Sequence, residues 1–119
     1  MPEVVSSGLP ELDRLRQLAS EPGTDLVHGA AALIVIYATS SGGVPDCFLA
    51  AENLMLAAWA FDLGTCPIGL AGPLFNRAEV KEELGVPSEW VVALPIVVGR
   101  PAEHPRPTAR RSPHVISWS

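Results

Sequence analysis

Eight consecutive apolar residues, Leu54 to Phe61, most constrain what this chain can become. They lie inside a segment with helix punctuation. Asp46 can accept hydrogen bonds from free first-turn amides, and Gly64 can take the left-handed conformation that closes a helix. Seventeen residues lie between them, about 26 Å of helix. The polar positions are few: Asp46, Glu52, Asn53 and Asp62. A helix that is apolar on every side must be covered on every side. A membrane crossing needs about 18 or more apolar residues, so the run is too short for one. Two readings remain: a central core helix, or a helix that rests one face on its own core and the other on a second subunit. A chain of 119 residues has little core with which to surround a helix. That favours a subunit interface through residues 46–63.

The rest of the chain falls on either side of this segment. Residues 1 to 8 read as an irregular lead-in. Leu9, Leu12, Leu15, Leu18 and Ala19 then recur at helical spacing among charged residues, which predicts an amphipathic helix. Glu21-Pro22-Gly23 stops it. Gly29 to Ala38 contains Leu-Ile-Val-Ile-Tyr, the pattern of a fully buried strand. After Gly64 to Leu70, expected as a turn, Asn76 is placed to cap a short helix, with Glu79 in capping-box register. Val80 and Leu84 face inward together; Lys81, Glu82 and Glu83 form the expected solvated face. Gly85 and Pro87 end the helix. Trp90 to Gly99 is a second strand. Pro95 cannot donate to a ladder, so an edge, a bulge or a late start is expected there. The segment His114 to Ser119 suits a short terminal strand or packing on a neighbouring subunit.

No repeat or internal boundary is visible, so residues 1–119 are expected to form one domain. It divides into a lead-in with a helix (1–27), a core (28–99) and a basic, proline-rich tail (100–119). Helix, strand, helix, helix, strand predicts an α+β or α/β domain whose sheet sandwiches the apolar helix. Two strands make a poor sheet, which suggests that more of it comes from a partner or from sequence outside the chain.

Charge and cysteine usage narrow the partners. The net charge is −5. Arg100, Arg106, Arg110 and Arg111, against Glu103 alone, give the tail +3 and leave −8 on residues 1–99. One reading is a tail kept solvated by its charge; the other is an anion site, most simply for a phosphate, at Arg110-Arg111. Nucleic acid is disfavoured, because the acidic body repels a polyanion. The start carries no basic region and no long apolar core of a secretory signal. Cys47 and Cys66 form no Cys-x-x-Cys pair, so reduced thiols and a cytoplasmic location are expected. His28, His104 and His114 lack metal-ligand spacing. No Ser/His/Asp or Cys/His constellation is evident.

Five motifs in order give the chain a family resemblance. They are Ala50-Ala51-Glu52-Asn53-Leu54-Met55-Leu56-Ala57-Ala58-Trp59-Ala60, Leu63-Gly64-Thr65-Cys66-Pro67-Ile68-Gly69, Val80-Lys81-Glu82-Glu83-Leu84-Gly85-Val86-Pro87, Pro95-Ile96-Val97-Val98-Gly99-Arg100-Pro101 and Pro107-Thr108-Ala109-Arg110-Arg111-Ser112-Pro113. From about residue 28 onward they resemble the carboxyl-terminal half of the nitroreductase family. The resemblance implies an α+β fold, a nitroreductase-like α/β sandwich, with a long helix at the interface of an intertwined homodimer. It implies FMN as cofactor and hydride transfer from NADH or NADPH to a nitroaromatic, quinone or similar acceptor. Pro67, Ile68, Gly69 and Leu70 match the turn that lies against the flavin ring. Some members carry an acidic residue where Gly69 stands; here only backbone is on offer. Arg111, with Arg110 beside it, matches the basic tail position that holds the flavin phosphate. Cys66 is expected as a buried small side chain, and Trp59 and Phe61 as core or interface packing. Glu52 and Asn53 are expected as interface hydrogen-bonding groups.

The resemblance also implies an amino-terminal segment with an Arg-Ser-x-Arg-like phosphate motif. Nothing equivalent precedes the first helix of this chain, so an incomplete version of the fold is expected. The alternative function is a cofactor-free dimerisation or interaction module without catalysis.

Overall fold

In the computed structural model, which describes residues 3–6 and 28–119, the apolar run from Leu33 to Ala38 sorts into two faces. On strand β2 (Ala32–Ala38), Leu33, Val35 and Tyr37 join one buried cluster, while Ile34, Ile36 and Ala38 join another. Successive strand side chains point to opposite faces, so apolar residues at every position mean that both faces are covered. Strand β4 (Val91–Gly99) does the same: Val92 and Val97 serve the first cluster and Ile96 the second. The fold is α+β, with helices on both faces of an antiparallel sheet.

With β1 (Glu3–Ser6) and β3 (Gly64–Pro67), the sheet has four strands among the described residues, in the order β1-β2-β4-β3. Strand β1 (Glu3–Ser6) pairs antiparallel with β2, Val4 opposite Ile36 and Val5 opposite Val35. Strand β3 (Gly64–Pro67) pairs antiparallel with β4, Gly64 opposite Gly99 and Cys66 opposite Val97. Both correct the sequence reading. Glu3–Ser6 is not irregular lead-in, and Gly64–Pro67 is strand rather than turn, so the chain itself supplies both outer strands. Each is only four residues long, too short for periodicity to declare. They are strands because a longer neighbour offers them a ladder. The helix expected between Leu9 and Ala19 lies outside the described residues.

Pro95 sits in the central strand β4, opposite Val35, yet it leaves no ladder bond broken. In an antiparallel strand, the N–H and C=O of one residue point to the same neighbour. The Pro95 carbonyl accepts from the Ile68 N–H at 2.8 Å, so the missing donor also faces that side. There β3 has just ended, at Pro67. Pro95 therefore occupies a locally open edge, and the β2 register shifts nearby, at Ile36/Tyr37. Both features agree with the expected restriction on a strand proline.

The long helix α1 spans Val44–Ala60, two to three residues earlier than its punctuation implied. Pro45 stands in its first turn, where a missing N–H costs nothing. Gly43, not Asp46, is the N-cap, and no side chain caps that end. Gly64 does not close the helix. Asp62 takes the left-handed conformation, φ 58°, its N–H donating to the Trp59 carbonyl and the Leu63 N–H to the Ala58 carbonyl, both at 3.0 Å. That bond pair is a Schellman closure, with aspartate in glycine's usual place and Gly64 left free to start β3. Cys47 and Ala51 are the buried residues of α1; with the partly buried Leu54 they pack on Ile36 and Ile96.

The other face of the sheet carries α2 (Gly72–Phe75) and α3 (Ala78–Leu84). Asn76 does not cap α3; Arg77 is its N-cap, and the Asn76 Oδ1 instead accepts the Val92 N–H at 3.0 Å, tying the helix pair to β4. Val80 is buried as expected, and Gly85 closes α3 in the left-handed conformation, φ 68°. Lys81 is not solvated. It is buried, and its Nζ donates to the carbonyls of Ser88, at 3.1 Å, and Trp90. Those bonds satisfy the ammonium where α3 turns back into β4.

Tyr37 joins the two layers. Its ring is fully buried and its hydroxyl donates to the Phe75 carbonyl at 2.8 Å. Burial pushes the phenol up to about 12, against about 10 in an unfolded chain. The stability tied to the neutral phenol is complete below about pH 10 and is lost as pH rises to about 12, because only the unfolded chain ionises in that window. Tyr37→Phe leaves the Phe75 carbonyl unpartnered and is expected to cost about 1–3 kcal/mol near neutral pH. In urea titrations of both proteins, the gap between them should narrow between about pH 10 and pH 12. A constant gap would show that Tyr37 is not protected from ionisation.

Candidate functional site

The turn after β3 is fixed from below and open above. Ile68 is buried in the cluster beneath α2, and its N–H is held by the Pro95 carbonyl. Its neighbours are exposed: Pro67, Gly69 and Leu70, the last at 84 %. Gly69 opens a 3-10 turn, Gly69–Ala71, that runs directly into α2. First-turn amides of such a turn have no partner inside it. Gly69 does not need its glycine for backbone reasons, since among the described glycines only Gly29 and Gly85 have positive φ. Nor does packing demand it: a Cβ there would meet nothing within 4 Å. The turn thus presents backbone at a place where this chain leaves space, and a flat ligand can approach it closely.

Sequence reasoning missed the groove beside this turn. It has a volume of about 510 Å³ and is walled by His28, Thr65, Cys66, Val97 and Arg100. Its signal was the strand pairing of Gly64–Pro67 with the end of β4, which needs the tertiary register to be seen. Cys66 is exposed on it, contrary to the expected buried thiol. The buried cysteine is Cys47, on the sheet-facing side of α1, where burial, with the Asp46 carboxylate adding to it, pushes the thiol up.

Helix α1 covers the sheet with one face and leaves the other bare. Phe48, Leu49, Leu56 and Trp59 are each about half exposed or more, and Phe61 lies just beyond them at 78 %. Glu52 and Asn53 share that outer side. In a single copy, Trp59 and Phe61 are therefore not core residues. A contiguous apolar face of this kind marks an interaction surface.

The tail, residues 100–119, forms no helix or strand, including at His114–Ser119, where a terminal strand was one expectation. Val115, Ile116 and Trp118 are exposed. Arg110 and Arg111 are exposed too, and among the described residues no hydrogen bond or ion pair holds them or joins them to the turn at 67–70. Pro67, Gly69 and Leu70 thus lie together on the surface over the buried Ile68, and no bond among the described residues ties the two arginines to them. No helix among the described residues is long and apolar enough to cross a membrane. Among the same residues, no three His, Cys, Asp or Glu side chains gather as metal ligands.

Comparison with known proteins gives a family match. The model of the nitroreductase family matches residues 6–100. It begins earlier than the quoted motifs and stops where the tail begins. A nitroreductase with bound FMN from Bacteroides fragilis NCTC 9343 superposes with a TM-score of 0.73 at 18 % identity, over 98 % of this chain and 74 % of the other. A nitroreductase with bound FMN from Desulfitobacterium hafniense DCB-2 gives 0.73 at 19 %, over 92 % and 71 %. An FMN-dependent nitroreductase from Clostridium difficile R20291 gives 0.70 at 25 %, over 91 % and 68 %. At these identities the likeness carries the fold.

The two thiols should differ in a disulfide-exchange assay of the native protein. Cys66 should react rapidly and Cys47 only on unfolding, because attack requires an accessible thiolate. Two fast thiols in the native state would contradict the burial of Cys47 between α1 and the sheet.

Proposed function

The chain belongs to the nitroreductase family, and from that premise we propose that it is a flavin-dependent oxidoreductase that holds FMN against Pro67, Ile68, Gly69 and Leu70. The observation that carries this reading is the open space over Gly69. A glycine required neither by its own φ nor by its neighbours is explained by something outside the chain that comes close. The flavin, when bound, supplies the hydride chemistry between NAD(P)H and a nitroaromatic, quinone or similar acceptor. The chain's part is position and electrostatics.

Each residue then has a physical role. The buried Ile68, locked by its bond to Pro95, keeps the turn from yielding when a ring presses on it. The backbone of Gly69 and Leu70 offers amides to the ring edge with no Cβ at Gly69 to hold the ring off. Arg110 and Arg111 supply charge-assisted donors for the phosphate. The exposed face of α1 buries itself in a homodimer, and that assembly, rather than the single chain, brings tail and turn into one cleft.

The exposure of Arg110 and Arg111 in one copy, with no bond among the described residues to the turn, also supports a second reading, a cofactor-free interaction module that uses the same α1 face. FMN titration of the purified protein, followed by flavin fluorescence, separates the two. The flavoprotein reading predicts saturable uptake. Arg111→Ala should weaken it by about 1.5–3 kcal/mol, the cost of losing a charged hydrogen-bond partner. Gly69→Ala should weaken uptake while leaving thermal stability unchanged or raised by up to about 1 kcal/mol, since it stiffens the unfolded chain and meets no native neighbour. Protein that takes up no FMN would overturn the flavin reading and leave the interaction module.

A further inference from the structure

The tail leaves the body through two contacts before it reaches its arginines. Pro101 packs at Gly64, so closely that a Cβ on Gly64 would lie 3.4 Å from the Pro101 Cβ. Three residues on, the His104 ring meets Trp59 edge to face, with centroids 5.5 Å apart and planes at 86°. One contact is on β3 and the other on the last turn of α1. Two points fix a direction, so the chain segment 101–104 leaves the body along a set line rather than as a free end.

The stretch beyond His104 is stiff. Pro105 and Pro107 lock their own φ and keep the residues before them out of the helical region. A proline-rich segment favours the extended polyproline conformation, about 3.1 Å per residue. From His104 to Arg110 that is about 19 Å, close to the full reach of six residues.

We propose that His104 is a positioning residue for the FMN phosphate: its ring clamps the tail to Trp59, and the segment 105–109 acts as a spacer that delivers Arg110 and Arg111 to a set distance from the end of α1. This rests on the FMN reading above. The clamp never touches the flavin; it lowers the entropy that the arginines lose on binding. Its effect therefore falls on ligands that carry the phosphate and spares those that do not.

The test compares FMN with riboflavin, which has the same ring and no phosphate, on the full chain. His104→Ala should raise the FMN Kd on the order of tenfold, the cost of ordering about one freed backbone residue, and leave the riboflavin Kd unchanged. His104→Phe keeps the edge-to-face ring contact and should restore FMN binding. Replacing both Pro105 and Pro107 with glycine softens the spacer with the clamp intact and should weaken FMN in the same selective way. FMN binding that is unchanged in His104→Ala, while Arg111→Ala weakens it, overturns the clamp and leaves the flavin reading standing. Equal loss of FMN and riboflavin in His104→Ala also overturns it, since the residue would then act on the ring site. A wild-type chain that takes up no FMN overturns both readings.

Discussion

Helix Val44–Ala60 is apolar on more sides than its own sheet can cover. The sheet takes Cys47, Ala51 and part of Leu54; Phe48, Leu49, Leu56 and Trp59 stay about half exposed or more. Leaving four large apolar side chains exposed on one face is a standing cost, because each fully buried would contribute about 1.5–3 kcal/mol. A surface laid against that face would offset part of the cost. The end of the same helix holds Trp59, the tail's ring contact, and the Schellman closure at Asp62 that turns the chain into β3. The bare face, the start of the tail and the entry to the open turn thus hang from one helix.

The turn itself depends on the centre of the sheet. Strand β4 pairs on both sides, and its proline stands where β3 has already left the ladder. The Pro95 carbonyl then becomes the anchor for Ile68. A residue that looks like a defect in a central strand therefore sets where β3 stops and the exposed turn begins. Beneath it, Tyr37, Phe75 and Ile68 share one buried cluster. The platform for a ligand at Gly69 is stiff because its underside is core.

Much of this was legible in the residues. The apolar run of β2 declared a strand covered on both faces, and the all-round apolar pattern of α1 declared more apolar surface than one sheet covers, a face that stands bare in the single chain. Gly85 announced the end of α3. The misses share a cause: a tertiary partner decided what local pattern could not. Glu3–Ser6 and Gly64–Pro67 are strands because long neighbours recruit them. Asn76 looked like a cap and is instead a strand acceptor. Lys81 looked solvated, because no sequence pattern shows that two backbone carbonyls will converge on its ammonium. Asp62 displaced Gly64 as the helix terminator because aspartate tolerates the left-handed conformation, which moved the helix boundary and released Gly64 for β3. The site at residues 67–70 comes from the resemblance, and what the structure adds is exposed backbone at Gly69 with open space beside it. The groove at Cys66 had no signal short of the β3–β4 register.

The central claim is that the bare face of α1 and the open turn at Gly69 belong to one assembled site. Sedimentation equilibrium of the chain with added FMN, recorded at the flavin absorbance band, tests it most directly. The account predicts that flavin travels with a species of twice the chain mass. Flavin bound to a single chain, or a dimer that carries none, would contradict it.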